Sequence, residues 1–302
     1  MRTIAEIIHK AYTFGLAIPA FNIPYLPMME PVVRAVIDSD SFALVAVARL
    51  EWIKFESRDL RSVAKEFAKW RNPDHVRLHL DHVPVIDEDN LHVDYLPIFR
   101  DAITLGYESV MIDGSRLPFD ENIRATCQII ELAHAGGVPV EAELGAVFGH
   151  TAGPLPLYEE LFASGKGFTD VGEARRFVYT TQCDWLSVAV GNIHGAIAAG
   201  QKDRKKVEAR LDLDRLKELK IAAGIPLVLH GGSGIRQENV RLAIQHGIAK
   251  INIATEIRQS YETAIKEGGS ISRAQDAVYT HTRWVLEKLL GLGGIQKVIV
   301  EQ

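Results

Sequence analysis

The sequence predicts a single-domain (β/α)8 barrel. Two observations carry the prediction. Eight short, continuous apolar runs alternate with amphipathic stretches along 302 residues, and that alternation builds parallel βαβ units. The first run ends in Phe21-Asn22-Ile23-Pro24, without the glycine-rich turn that a doubly wound sheet, the rival architecture, carries after its first strand.

The runs, taken in order, are Ile18–Ile23, Phe42–Ala48, Val76–His82, Ser109–Ser115, Pro139–Gly145, Trp185–Gly191, Pro226–Gly232 and Ala249–Thr255. Most are too continuous for half-exposed strands, so both faces are expected to be buried. Helical spacing precedes the first run (MRTIAEIIHKAYTFG), fills Leu60–Trp70 and Asn122–Ala135, and recurs over Asp212–Ala223. Leu117-Pro118 supplies a helix start, where the missing N–H is harmless, and Gly224 a helix stop. The tail from about 268 to 302 reads as a helical extension of one domain covering 1–302, since no linker or low-complexity segment divides the chain. Two connections are long, Ala146–Asp170 and Asn192–Leu211, and loops of that length in a compact domain are usually functional.

Composition narrows the function class. Hydrophobic residues are 47% and charged residues 24%, with a net charge of −5. That is globular rather than disordered or fibrous, and it argues against nucleic acid as a main partner. No apolar run reaches the ~18 residues of a membrane span, and the N-terminus lacks signal-peptide design. Two cysteines, Cys127 and Cys183, make no disulfide framework and suit a reducing compartment. The expectation is a cytoplasmic protein with neither nucleic acid nor membrane as partner.

Buried strands should be apolar, yet polar residues gather where six consecutive strands end. These are Asp81-His82, Asp113, Glu141 with Glu143, Asn192 to Gly195, His230 to Gly234, and Asn252 with Thr255. In a barrel such ends converge on one face, where active sites form. His82, His194 and His230 come from three of them. Three imidazoles with a fourth position open form a catalytic zinc arrangement. His79, three residues before His82, is expected on the other side of its strand, outward or in a bottom layer. The remaining histidines fall in loops or helices as surface residues, with His150 set apart by its long loop.

Asp81 is placed either to move a proton at a substrate hydroxyl or to orient an imidazole. Asp113 and Glu143 offer an alternate metal position or bonds to the ligands. Glu141, on the face of Glu143 but deeper, reads as a structural buried acid. Gly231-Gly232-Ser233-Gly234 allows backbone N–H groups to converge on an anion ahead of a helix. Asn252 to Thr255 also open a helix, and loops after strands 7 and 8 are the usual phosphate site of this fold. A zinc ion, a phosphate grip and an acid together suit metal-dependent aldol cleavage.

The ordered blocks LHLDH, SVMIDGS, VEAELG, VAVGNIHG, LVLHGGSG and KINIATE resemble the class II, zinc-dependent ketose-bisphosphate aldolase family, which includes fructose- and tagatose-bisphosphate aldolases. The resemblance runs from AFNIP at Ala20 to about Arg258. It implies cleavage of a phosphorylated ketose to dihydroxyacetone phosphate and an aldehyde through a zinc-stabilised enediolate. It implies His82, His194 and His230 as ligands of one catalytic zinc, and Asp113 and Glu143 beside a second metal position. Asp81 becomes the acid–base group. Asn22, Gly195, Gly231, Gly232, Ser233, Asn252, Ala254 and Thr255 would bind the substrate and its phosphate. A monovalent cation, Na+ or K+, accompanies the phosphate, and members assemble as homodimers or homotetramers.

The chain departs from the family at three places. The loop after ELG lacks the usual glycine pair followed by acids and reads AVFGHTAGPLPLYEELFASGKGF, offering Glu159 and Glu160 as substitutes. Strand 2 ends VAVARLEW, with Ala48 or Arg49 where a serine is usual. Strand 8 reads NIATE, closer to the tagatose type, whereas HGGSG is closer to the fructose type. These departures leave open another phosphorylated ketose or a ketoacid as substrate, and a weakly catalytic relative that binds a sugar phosphate. A metal-dependent hydrolase is disfavoured because strand 1 has no His-x-His pair. A Schiff-base aldolase is disfavoured because Lys250, the lysine within the eight runs, falls at the start of strand 8.

Overall fold

The computed structural model describes residues 2–147, 158–192, 210–232 and 235–301. Eight parallel strands close into a barrel in chain order. They are β1 (Ile18–Asn22), β2 (Ala43–Ala48), β3 (Val76–Pro84), β4 (Ser109–Asp113), β5 (Val140–Leu144), β6 (Trp185–Val188), β7 (Leu227–Leu229) and β8 (Ile248–Ile253). β8 pairs with β1, Ile18 opposite Lys250 and Ala20 opposite Asn252. Each apolar run of the sequence coincides with one strand, β3 running two residues beyond its run and β8 starting one residue before its own.

Strand alternation decides what faces where. Leu78, Leu80, Val110, Ile112, Val140, Ala142 and Leu144 join the large core formed with the surrounding helices. Their neighbours His79, Asp81, Met111, Glu141 and Glu143 are also buried, on the barrel's inner side. The lower interior is apolar. There Ile18, Ala20, Leu44, Ala46, Trp185 and Val228 pack with Ile4, Ile7, Ile8 and Ala11 of the first helix, Ile4–Phe14. That helix starts in a reciprocal Thr3–Glu6 capping box and stops at left-handed Gly15, so its apolar stripe is held against the barrel floor. Each buried Ile there contributes about 1.5–3 kcal/mol.

One irregularity positions the site. Between Leu80 and Val83 the β3–β4 register shifts, so one extra residue enters the inner row. Leu80 and Val83 stay in the outer core, and Asp81 and His82 both turn inward. This corrects the parity expected for His79, which lies wholly buried inside the barrel with Nδ1 2.8 Å from Ser109 Oγ.

The long connection after β5 contains a helix, Tyr158–Ser164. Helix Ile271–Trp284, running on into Val285–Leu289 and followed by Gln296–Val300, forms the C-terminal helices. Ile271–Trp284 packs on helices Thr255–Lys266 and Met29–Asp38. Among the described residues no helix is long and apolar enough to cross a membrane.

After β4 the chain turns through Gly114 into helix Phe119–His134. A Cβ on Gly114 would lie 2.1 Å from Oδ1 of buried Asn122, whose amide donates to Glu143 O at 2.9 Å. Gly114→Ala is expected to lower unfolding stability by roughly 1–3 kcal/mol, the usual cost of overpacking. Urea unfolding followed by circular dichroism measures it, and a midpoint equal to wild type would show that Asn122 has room to yield.

Candidate active site at the barrel mouth

Seven strands contribute to one buried polar cluster. β1 supplies Asn22, β3 Asp81 and His82, β4 Asp113, and β5 Glu141 and Glu143. β6 brings Trp185 and Ser187, and β8 Lys250 and Asn252, while His230 follows directly after β7.

Glu141 is fully buried and held by three donors. Lys250 Nζ lies 2.8 Å from Oε2, Trp185 Nε1 donates to Oε2 at 2.7 Å, and His230 Nε2 donates to Oε1 at 2.7 Å. Burial works against the carboxylate, but Lys250, His230 and His79 outweigh it and bring Glu141 down to about 2. Lys250, near the start of β8 as expected, stands inside the barrel and also donates to Asn252 Oδ1 at 2.6 Å. With both hydrogen bonds formed in the interior, it is an ionic anchor and not a poised amine nucleophile.

His82 and His230 face each other, with His82 Nε2 2.7 Å from His230 Nδ1. Their outer nitrogens fix the tautomers. His230 donates a hydrogen bond from Nε2 to Glu141, and His82 Nδ1 lies 3.3 Å from Asp113 Oδ2 and 3.6 Å from Glu143 Oε2. Two nitrogen lone pairs are thereby turned on one point, an arrangement that requires a positive centre between them. A shared proton meets the requirement, and so does a metal ion. Burial disfavours the His82 imidazolium, yet Asp81, Glu143 and Asp113 raise it to about 10. Burial and the neighbouring His82 lower His230. The donor set fits a divalent cation in two overlapping groups, one of Asp81, His82 and His230, the other of His82, Asp113 and Glu143. Within each group the ligand atoms lie within 4.8 Å of one another, and imidazole with carboxylate is the donor chemistry of catalytic zinc.

Asp81 is gripped from two sides. Asn22 Nδ2 donates to Oδ2 at 2.8 Å and Asn252 Nδ2 to Oδ1 at 2.9 Å. Burial pushes its carboxyl up, but His82, His230, Lys250 and His79 hold it well below the usual carboxylate range. Asp113 is likewise held low, against its burial, by His82 and Ser115. Glu143 goes the other way, raised well above its usual value by burial and by Asp113. Two carboxyls near one histidine are thus shifted in opposite directions, a separation typical of functional sites. His79, lowered to about 3 by burial and by Lys250, is a neutral imidazole between Asp81 and Glu141.

Among the phosphate candidates, Gly231 adopts φ +66°. A Cβ on Gly232 would meet Ile251 Cγ2 at 2.5 Å. The Gly232 N–H is engaged, donating to Asn252 O at 3.2 Å. Ala254 and Thr255 open helix Thr255–Lys266 as expected. His194, Gly195, Ser233 and His150 lie outside the described residues. Glu159 is exposed and pairs with Arg210, Glu160 is exposed, and neither bonds to the cluster. Arg49, at the end of β2, reaches Asp87 at 3.4 Å.

Sequence reasoning gave no site role to Asn192, Lys250 or Glu51. Asn192 donates from Nδ2 to His230 O at 3.0 Å, with Oδ1 accepting from Val190 N. Its signal was its place inside GNIHG. Lys250 was visible as a charge within an apolar strand. Glu51, buried after β2, accepts from Ala48 N at 2.8 Å and lies 3.4 Å from Asn22 Nδ2. Burial pushes its carboxyl up to about 8 against those donors.

Comparison with known proteins agrees with this geometry. The chain is 38% identical over 216 residues to the YdjI protein of Escherichia coli strain K12, covering 72% of this chain and 70% of YdjI. The crystal structure of the YdjI aldolase from E. coli K12 superposes with a TM-score of 0.76 at 29% identity, over 97% of this chain and 99% of that one. A fructose-bisphosphate aldolase of Campylobacter jejuni shares the fold, with a TM-score of 0.73 at 18% identity over 96% and 95% of the two chains. Residues 2–292 match the family described as fructose-bisphosphate aldolase class II. The chain therefore belongs to the class II fructose-bisphosphate aldolase family.

Proposed function

We propose that the protein is a divalent-metal-dependent aldolase, a carbon–carbon lyase that reversibly cleaves a phosphorylated ketose into dihydroxyacetone phosphate and an aldehyde. The observation that carries this reading is the pair of imidazole lone pairs of His82 and His230 converging beside Asp81. His82 and His230 would hold the ion, with His194 as the third ligand that the family resemblance implies. Asp113 and Glu143 stand where a second metal position would form. We take the ion to be zinc, on the strength of the imidazole ligands.

A cation held there supplies Lewis acidity toward the substrate's carbonyl oxygen. The chain's own groups do the rest. Glu141 and Asp113 keep the two imidazoles oriented, and Asn192 holds the backbone carbonyl of His230. Asp81, fixed by Asn22 and Asn252, takes the proton of the hydroxyl β to the carbonyl as the bond between the α and β carbons breaks. The electron pair stays with the carbonyl fragment, which takes up a proton and departs as dihydroxyacetone phosphate, while the β carbon leaves as the aldehyde. The turn at Gly231 and Gly232 and the helix opened by Ala254 and Thr255 would seat the phosphate. Glu159 and Glu160 are the first acids after Gly145, in the connection where the family resemblance implies the proton-abstracting acid.

The test is release of dihydroxyacetone phosphate from a panel of ketose 1-phosphates and 1,6-bisphosphates, with and without a chelator. Chelator-sensitive release from at least one is expected. Absence of release from every member by metal-loaded protein would overturn the reading. Asp81→Ala is expected to retain metal while lowering turnover by about 10²–10⁴-fold, the range of an acid–base contribution. Near-normal turnover would reduce Asp81 to an orienting role. His82→Ala is expected to lose bound metal, measured by elemental analysis of purified protein, and an unchanged content would remove His82 from the ligand set.

A further inference from the structure

We propose that Glu51 is a positioning residue of this site. It fixes the carboxamide of Asn22 in one of its two flip states and, through Asn22, fixes Asp81.

Glu51 lies in the first turn of helix Arg49–Lys54, and its Oε2 accepts from the backbone N–H of Ala48 at 2.8 Å. Alone, that bond would be an ordinary helix cap, and such glutamates are usually exposed. This one is buried at 6% exposure, and the same oxygen lies 3.4 Å from Asn22 Nδ2. The Asn22 amide nitrogen also donates to Asp81 Oδ2 at 2.8 Å. Its two hydrogens therefore serve two carboxyl groups, one on each side. Turning the carboxamide over would set its oxygen against both carboxyl oxygens, which repel it. The flip is thereby determined, and Glu51 Oε2 accepts in this way whether its carboxyl is charged or neutral.

The consequence falls on Asn22 Oδ1. Asn22 is 3% exposed, yet Oδ1 has no hydrogen-bond partner among the described residues. Buried acceptors are almost always paired, and a locked flip is what keeps this one available for a donor that arrives with the substrate, such as a hydroxyl. Without Glu51, one Asn22 hydrogen loses its acceptor. The carboxamide is then held by Asp81 alone and can pivot about that one bond, which loosens the partner of Asp81 on β1.

The role of Asp81 as acid–base group rests on the function proposed above, whereas the placement of Asn22 does not. The test therefore has two arms. In the first, the protein is labelled with 15N-asparagine, and the side-chain amide signals of Asn22 are identified by their absence in Asn22→Ala. Glu51→Met, which fills the volume without an acceptor, is expected to shift those signals, and Glu51→Gln to leave them near their wild-type positions. Unchanged signals in Glu51→Met would overturn the proposal. In the second arm, Glu51→Met is expected to lower kcat/KM about tenfold, the size of one lost hydrogen bond. It should cost nothing further in an Asn22→Ala background. Losses that multiply in the double variant would mean that Glu51 does not act through Asn22, and would overturn the proposal. If Glu51→Met does not fold, Glu51→Asp, which can still cap the helix but withdraws from Asn22, takes its place in both arms. Should wild type release no dihydroxyacetone phosphate, the proposed function fails, and the amide signals still decide the role of Glu51.

Discussion

A carboxylate inside a barrel has no water to solvate it, and Glu141 is such a group. Burying an uncompensated charge costs several kcal/mol, so the structure around Glu141 is arranged to answer it. Lys250 comes from β8, Trp185 from β6 and His230 from the end of β7, and all three meet its two oxygens. Because each comes from a different strand, the carboxylate also fixes their mutual register at the core of the closed barrel. The polar mouth is built upward from this point. Lys250 orients Asn252, Asn252 grips Asp81, and His230, donating a hydrogen bond from Nε2 to Glu141, turns Nδ1 on His82.

Charge is sorted by the same network. Three carboxyl groups, Asp81, Asp113 and Glu141, are stabilised as anions by histidines and Lys250, while Glu143, against Asp113, is driven toward its neutral form. The residues differ little in chemistry, and their surroundings separate their roles. A cation held by His82 and His230 would add a positive charge beside these carboxyl groups, one of the two ways, with a shared proton, of satisfying the facing nitrogens.

Binding and floor are segregated along the barrel axis. The first helix and Trp185 close the bottom with apolar contacts, and the polar groups occupy the layers above. Stability and chemistry thus draw on different rows of the same strands, in keeping with a fold whose active sites lie at the C-terminal ends of its strands. Ala48 or Arg49, at the end of β2, stands where the family resemblance implies a serine. Glu51 follows in the first turn of the next helix and reaches the site through Asn22.

The sequence by itself determined the barrel. Eight apolar runs with two buried faces have few ways to satisfy their backbone hydrogen bonds other than in a closed parallel sheet. It also determined which strand ends carry chemistry, because a polar residue in a buried strand is conspicuous. Asp81, His82, Asp113, Glu143 and His230 could be picked out in this way. Tertiary structure alone decided which of them face inward together. Period-two counting sent His79 to the wrong side, since the register shift after Leu80 depends on pairing with β4 and leaves no local mark in the sequence. It also decided the roles of Lys250, Asn192 and Glu51. Each acts through a partner on another strand, and proximity between strands is set by closure of the barrel, which no stretch of sequence contains.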